Sequence, residues 1–253
     1  MTNKLKYFVG NWKMFGDFGS IKIIYQIERF SAKFNRRNIK NKIIFCIPFT
    51  LIYFFTKKIK SKLISIGAQN CHHHSAHGPY TGSVNASMLK SVGAKYVILG
   101  HSENRLEGDT NLLIKNKITS ALNKKLNIIF CIGETLKEKN KHKTLLVLKN
   151  QIKGSIERKH NLSKIIIAYE PVWSIGTGKI PKAIDLKKIF EFIKNEFKKI
   201  FKTKKFPVVL YGGSVNSSNI RFFSSISEID GFLIGGDSRS SKKFIDIIKN
   251  YYK

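Results

Sequence analysis

The sequence predicts an α/β fold, a single (β/α)8 barrel in which eight parallel strands alternate with helices. Short apolar runs of strand length recur at roughly thirty-residue spacing, and segments with helical periodicity separate them. The length of 253 residues fits one such barrel or two small domains. No linker or change in composition divides the chain, so we expect one domain over residues 1–253.

Each strand is predicted from an apolar run that ends in a polar or glycine-containing turn. The predicted strands are residues 7–10, 42–48, 63–68, 94–100, 127–132, 165–168, 208–211 and 231–234. Helices are predicted between them over residues 20–34, 51–60, 85–91, 110–125, 144–157, 183–201 and 240–251. In a parallel barrel the C-terminal strand ends share one face, so residues that follow the strands are the candidates for chemistry.

The composition is strongly basic, with 46 Lys and Arg against 16 Asp and Glu and a formal net charge of +30. This balance occurs in nucleic-acid-binding proteins. However, the lysines are spread along the whole chain and no nucleic-acid-binding motif accompanies them. Heavy use of Lys, Ile, Asn and Phe favours compositional drift from AT-rich coding, so we expect no specific nucleic-acid partner.

The sequence also bears on the compartment. No stretch of eighteen uncharged apolar residues occurs, so we expect no membrane partner. Cys46, Cys71 and Cys131 are an odd number of cysteines in a long chain, and two of them lie in strand-like apolar runs. This pattern indicates a reducing cytoplasm and argues against a disulfide framework.

The most informative segment is IIIAYEPVWSIGTGK at residues 165–179. Pro171 disfavours a helical conformation at Glu170, which places this carboxylate at the C-terminal end of a buried strand, where a general base could act. The stiff Pro-Val-Trp run and the small residues that follow are typical of a hinged flap. For the Glu-Pro pair alone, an ordinary loop with a surface glutamate is the alternative.

This segment resembles the catalytic strand and lid of the triosephosphate isomerase family, AYEPVWAIGTGK, from which Ser174 departs. The resemblance implies a TIM barrel that interconverts dihydroxyacetone phosphate and D-glyceraldehyde 3-phosphate, in glycolysis and gluconeogenesis. It also implies that the reaction needs neither a cofactor nor a metal. In this family a base with a tuned pKa and a lid that closes over the substrate are well established, and the roles below are what the resemblance implies.

Further motifs extend the resemblance over essentially the full chain: GNWKM at residues 10–14, GHSE at 100–103, CIGET at 131–135, YGGSV at 211–215 and GGDS at 235–238. It implies that Glu170 is the base and that His101 polarises the carbonyl as a neutral imidazole. Lys13 would supply fixed positive charge, and Asn11 would orient Lys13 and contact the substrate. Glu103 would contact these residues without touching the substrate itself.

Paired glycines follow the seventh and eighth predicted strands. Residues without side chains let backbone N–H groups approach an anion, and the loops after these two strands are the usual phosphate site of a barrel enzyme. We expect the N–H groups of Gly176, Ser214, Gly235 and Gly236 to bind a substrate phosphate. Asp237 departs from the family pattern, so we expect it to face solvent or pair with a cation such as Arg239.

A long loop, QNCHHHSAHGPYTG, spans residues 69–82. Its histidines, His72, His73, His74 and His77, suggest metal binding, but they lack the spacing of a tetrahedral site. The ends of the loop resemble the segment by which the family dimerises, which implies a homodimer formed through Tyr80-Thr81-Gly82. Departures from the family pattern at Ser83, Asn104 and Asp109 bring the strength of that dimer into question.

Two other functions fit part of the sequence. A different phosphate-binding barrel enzyme would share the paired glycines without needing the other motifs. A basic nucleic-acid-binding protein would explain the charge and none of the motifs. A coupled isomerase assay on the purified protein separates these possibilities.

Overall fold

The eight strands form a closed parallel barrel in chain order, which confirms the predicted fold class. The structure is a computed structural model, and it describes residues 5–34 and 40–253. The strands are β1 (Lys6–Asn11), β2 (Asn41–Cys46), β3 (Ile64–Ala68), β4 (Tyr96–Leu99), β5 (Asn127–Ile132), β6 (Ile165–Tyr169), β7 (Val208–Tyr211) and β8 (Gly231–Ile234). Pairing of β1 with β8 closes the ring.

Helices surround the barrel and connect its strands. They are α1 (Ile21–Phe34), α2 (Phe49–Lys58), α3 (Ala86–Ser91), α4 (Ser102–Leu106), α5 (Asn111–Asn123), α6 (Leu136–Asn140), α7 (Thr144–Ser155), α8 (Ala183–Phe201), α9 (Ile220–Ser224) and α10 (Ser241–Tyr251). The sequence did not predict α4, α6 or α9, because helices of five residues are too short to display helical periodicity.

The apolar core has two layers, because successive side chains of a strand point to opposite faces. The barrel interior is filled by Val9, Ile44, Cys46, Tyr96, Ile98, Ile129, Cys131, Ile166, Ala168, Leu210 and Leu233. The alternate residues of the same strands, such as Phe8, Val97 and Ile167, pack outward against the helices. Continuous apolar runs in the sequence are therefore the signature of strands that are buried on both faces.

The same alternation positions the polar residues at the C-terminal end of the barrel. Asn11 lies two residues beyond the inward-pointing Val9, and Glu170 lies two residues beyond the inward-pointing Ala168. Both side chains therefore continue the inward layer and cap the apolar interior. The strand periodicity thus explains why a carboxylate and an amide meet above a core of aliphatic residues.

Within residues 5–34 and 40–253, no helix has the length and apolar character needed to cross a lipid bilayer.

The barrel interior generates a stability prediction. We expect Ile129→Ala to lower the free energy of unfolding by about 2–5 kcal/mol, because it leaves a cavity in a fully buried layer. Urea denaturation followed by circular dichroism measures this change. Ile184→Ala is the matched control, because Ile184 is 56% exposed on α8 and its truncation leaves no cavity. Equal effects of the two substitutions would contradict the two-layer description of the core.

Candidate active site

A cavity of about 250 Å³ opens at the C-terminal end of the barrel. Every residue that the sequence predicted to act on or to bind the substrate lines it: Asn11, Lys13, His101, Glu170, Gly176, Ser214, Gly235 and Gly236. These residues come from β1 and from the loops after β1, β4, β6, β7 and β8, so segments far apart in the sequence converge there. Glu103, whose side chain is 53% exposed, does not line the cavity and contacts it only through Lys13.

Glu170 follows the last residue of β6 and is buried, with 3% of its surface exposed. Its backbone N–H donates to the Ile132 carbonyl at 2.7 Å, which extends the pairing between β5 and β6. Burial raises the pKa of the carboxyl above its ordinary value, and His101, Cys131 and Lys13 oppose the rise. The charged form is therefore poorly solvated and correspondingly basic, as a proton-abstracting group requires.

Two glycines permit the close packing around Glu170. A Cβ atom on Gly133 would lie 1.7 Å from the Glu170 carbonyl oxygen, and a Cβ atom on Gly212 would lie 2.7 Å from its Cγ. Both distances are too short for atoms that are not bonded. The backbone just after β5 and β7 can therefore approach Glu170 only because these two residues have no side chains. The glycines that follow both neighbouring strands thus leave room for the backbone and the side chain of Glu170.

His101 stands at the N-terminus of α4, where its Nδ1 atom accepts the Glu103 backbone N–H at 3.2 Å. A nitrogen that accepts a hydrogen bond carries no proton, so the imidazole is neutral and its proton is on Nε2. Nε2 points into the cavity and lies 3.4 Å from Glu170 Oε1. The ring therefore presents an N–H donor next to the buried carboxylate.

Lys13 is held in an unusual conformation, with a φ of 55° in the left-handed region. Its backbone N–H donates to Asn11 Oδ1 at 3.1 Å, and its ammonium donates to Glu103 Oε1 at 2.6 Å. Gln69 adds two contacts from β3's end, since its Nε2 donates to the Lys13 carbonyl at 2.9 Å and to Asn11 Oδ1 at 3.3 Å. Sequence analysis did not assign Gln69 a role, although the inward alternation of β3 points to it.

The glycine-rich loops after β6, β7 and β8 form a further part of the cavity wall. Gly176 has a φ of +70°, which a residue with a side chain adopts only with strain. Gly235 lies beside Lys13, because a Cβ atom on it would be 3.9 Å from Lys13 Cε. Glycine backbone and the Lys13 side chain therefore line the same part of the cavity, a composition that favours an anion.

Asp237 pairs with a cation, but the expected partner is wrong. Asp237 Oδ1 lies 3.2 Å from Lys243 Nζ on α10, one turn further along the chain than the sequence suggested. Arg239 instead donates from Nε to the Gly236 carbonyl at 3.3 Å. The ion pair with Lys243 reduces the repulsion that this carboxylate would exert on an anion in the cavity.

Glu134 anchors the first residues of the lid, which spans residues 170–182. In the sequence this glutamate appeared only as part of the CIGET motif, without an assigned role. Its carboxylate accepts the Trp173 indole N–H at 2.8 Å and the Tyr169 hydroxyl at 3.1 Å. Lys139 Nζ lies 3.3 Å from the centre of the Trp173 ring. The bulky part of the lid is therefore anchored to the loop after β5, while Gly176 and Gly178 beyond it are exposed.

The histidines of the loop between β3 and α3 form a stack of rings. His72 and His73 have ring centres 4.3 Å apart, and His74 stacks on Tyr80 at 4.9 Å with an interplanar angle of 15°. Among residues 5–34 and 40–253, no group of three or more His, Cys, Asp or Glu side chains could hold a metal ion. The contacts of these histidines are those of a folded, protruding loop.

This combination of a parallel barrel, a desolvated carboxylate, a neutral imidazole and a cavity lined by glycines and a lysine is typical of isomerases that shift protons within small phosphorylated substrates. Comparison with known proteins identifies the family. The family model described as triosephosphate isomerase matches residues 6–251. The chain therefore belongs to the triosephosphate isomerase family.

Individual proteins that are similar to this chain carry the same family name. The triosephosphate isomerase of Dictyoglomus thermophilum is 38% identical, with 97% of this chain and 99% of that protein covered. The triosephosphate isomerase of Yarrowia lipolytica is 39% identical, with coverage of 96% and 98%. The crystal structure of triosephosphate isomerase from Bartonella henselae superposes with a TM-score of 0.88 at 34% identity, covering 98% of this chain and 99% of that one.

The raised pKa of Glu170 generates a prediction about stability. The folded state binds this proton more tightly than the unfolded chain, so the penalty for ionisation is absent at low pH and develops as pH rises through the raised pKa. We expect Glu170→Gln to raise the free energy of unfolding by about 1–3 kcal/mol at pH 8, because it removes a buried charge. The gain should shrink towards pH 4.

Denaturant titration at both pH values measures the gain. Glu191→Gln, which neutralises an exposed carboxylate on α8, is the control and should leave the stability within about 0.5 kcal/mol of wild type. An unchanged stability of Glu170→Gln at pH 8 would contradict the desolvation of this carboxylate.

Proposed function

We propose that the chain interconverts dihydroxyacetone phosphate and D-glyceraldehyde 3-phosphate, as a triose-phosphate isomerase of glycolysis and gluconeogenesis. The observation that carries this proposal is the contact between the buried Glu170 carboxylate and the Nε2–H group of neutral His101 at 3.4 Å. A base and a hydrogen-bond donor so close together suit abstraction of a proton next to a carbonyl group.

In the proposed reaction Glu170 removes a proton from C1 of dihydroxyacetone phosphate. The electron pair of the broken C–H bond forms a C1–C2 double bond, and the carbonyl oxygen on C2 takes up the negative charge. His101 donates its Nε2–H hydrogen bond to that oxygen and relays a proton between the two substrate oxygens. Glu170 then returns its proton to C2, which leaves the aldehyde at C1 and restores both side chains.

Lys13 and Asn11 stabilise the charge that develops in this enediolate. The Lys13 ammonium is fixed by Glu103, so its charge needs no reorganisation when the enediolate forms. Asn11 Oδ1 accepts the Lys13 backbone N–H, which holds the lysine in its left-handed conformation at the edge of the cavity. Glu170, His101 and Lys13 together supply the base, the hydrogen-bond donor and the positive charge that the proton transfers need, so we propose a reaction without a cofactor or a metal.

The phosphate of the substrate would bind to the backbone N–H groups of Gly176, Ser214, Gly235 and Gly236. Closing of the lid would bring Gly176 over the phosphate and exclude water from the enediolate. This excluded environment strengthens the contacts of Glu170 and His101 with the substrate and slows loss of phosphate from the enediolate.

We also propose a homodimer through the protruding loop that carries Tyr80-Thr81-Gly82. Tyr80 is 41% exposed although it stacks on His74, and Met14, beside Lys13, is 99% exposed. A second copy that buries both apolar side chains would place Thr81 near the partner's active site. Asp109, a departure from the family pattern, has its own partner in Lys117 at 2.7 Å and does not oppose this arrangement.

Two broader proposals accompany this function. The chain would act as one catalytic domain over residues 1–253, because the barrel is closed by its first and last strands. It would act in the cytoplasm, since Cys46, Cys71 and Cys131 are buried and free, as in a reducing compartment.

The role of Glu170 is tested by Glu170→Asp. We expect kcat to fall about 10²-fold or more in a folded protein, because the shorter side chain withdraws the base by about 1 Å. A coupled assay for D-glyceraldehyde 3-phosphate measures the rate, and circular dichroism checks the fold. Wild-type protein without isomerase activity would reject the proposed function, and a folded Glu170→Asp variant with normal kcat would reject Glu170 as the base.

The homodimer is tested by light scattering at micromolar concentration. We expect wild type to have twice the 29.0 kDa mass of one chain. Tyr80→Arg should shift the mass towards the monomer and lower activity, because it buries an unpaired charge in the interface. Phe206→Arg is the control, since Phe206 is 56% exposed just before β7, at the opposite end of the barrel. A fully active wild-type monomer would refute the dimer.

A further inference from the structure

Ser174 is the last residue of a 3-10 turn, Val172–Ser174, within the lid, and its side chain is completely buried. Its hydroxyl oxygen lies near three polar groups. They are the Lys179 carbonyl oxygen at 2.5 Å, the Tyr211 hydroxyl at 3.2 Å and the Ser214 backbone nitrogen at 3.3 Å. Lys179 belongs to the far side of the lid, whereas Tyr211 ends β7 and Ser214 lies in the loop after it.

The directions of these hydrogen bonds follow from the capacity of a hydroxyl, which has one proton and two lone pairs. The Lys179 carbonyl can only accept, so it receives the Ser174 proton. The Ser214 N–H can only donate, so it occupies one lone pair, and the other accepts the Tyr211 O–H. The complete hydrogen-bonding capacity of this buried hydroxyl is therefore used, once within the lid, once with β7 and once with the loop after β7.

The lid tip between Ser174 and Lys179 is also bonded internally. Thr177 Oγ1 donates to the carbonyl oxygens of Trp173 and Ser174, both at 3.2 Å, and accepts the Lys179 N–H at 3.2 Å. The bond from Ser174 Oγ to the Lys179 carbonyl closes this small unit. The tip is thus preformed, and the Ser174 hydroxyl is where it is attached to Tyr211 and Ser214.

We propose that Ser174 is a positioning residue that aligns the lid tip with the phosphate-binding loop and holds the Ser214 N–H until phosphate arrives. This inference rests on the proposed function, in which the Ser214 N–H binds the substrate phosphate. A phosphate oxygen replaces the hydroxyl on that N–H, because a hydrogen bond to a charged acceptor is stronger than one to a neutral acceptor. The bonds to Lys179 and Tyr211 persist and keep the tip aligned.

The alignment of the tip matters because the enediolate has a competing reaction. Its electron pair can re-form a carbonyl at C1, shift the double bond to C2–C3 and expel phosphate by breaking the C3–O bond. The products are inorganic phosphate and an enol that converts to methylglyoxal. A lid that holds the phosphate firmly suppresses this loss, so a poorly attached tip increases the fraction of turnovers that end in elimination.

The test is Ser174→Ala, which removes the hydroxyl and leaves the backbone intact. We expect the fraction of turnovers that yield methylglyoxal and phosphate to rise about 5-fold, the factor that corresponds to one hydrogen bond of about 1 kcal/mol. The ratio of methylglyoxal to isomerised product is measured in one reaction by chromatography. After the methylglyoxal formed in an enzyme-free control is subtracted, this ratio does not depend on how much of the variant is folded.

Two further variants make the result specific. Ser155→Ala removes the same atom from another fully buried serine, on α7, and should leave the ratio unchanged. Tyr211→Phe removes one of the three hydrogen bonds and should raise the ratio less than Ser174→Ala does. The double variant should have the same ratio as Ser174→Ala alone. An unchanged ratio in Ser174→Ala, or an equal rise in Ser155→Ala, would overturn this inference and leave the isomerase function intact.

Discussion

Burial of one carboxylate, that of Glu170, is the constraint on which the rest of the site depends. The barrel supplies an apolar interior beneath it, and its Oε2 atom has no hydrogen-bond partner among the described residues. Such a group is costly to ionise, because burial removes the solvent that would stabilise its charge. Gly133 and Gly212 leave the space that Glu170 occupies, so a side chain at either position would displace the proposed base.

The remaining polar groups hold one another in place around the cavity. Glu103 illustrates this arrangement, since its backbone N–H fixes the protonation state of His101 while its carboxylate fixes the Lys13 ammonium. One residue at the first turn of α4 thus orients both the hydrogen-bond donor and the positive charge. Preorganised groups of this kind stabilise developing charge without moving during the reaction.

Strand periodicity and strand-end motifs were sufficient to predict the barrel and to select the residues that line its cavity. Asn11 and Glu170 could be placed because the inward alternation reaches the last residue of β1 and continues one residue beyond β6. The alternation of β3 directs Gln69 inward, but the local pattern identifies neither its contact with Lys13 nor Lys243 as the partner of Asp237. Each is a long side chain from another element, and only the packed structure determines which polar atom it reaches.

The surroundings of the two tryptophans have a spectroscopic consequence. Trp12 is fully buried, and its indole N–H donates to the Ser238 carbonyl at 3.0 Å, so its emission reports a rigid apolar environment. Trp173 has a carboxylate at its N–H and an ammonium over its ring. The electric field of these charges shifts the indole excited state, and any displacement of the lid changes that field. Unlabelled protein therefore carries an intrinsic fluorescent reporter of lid position, with Trp12 as a constant internal reference.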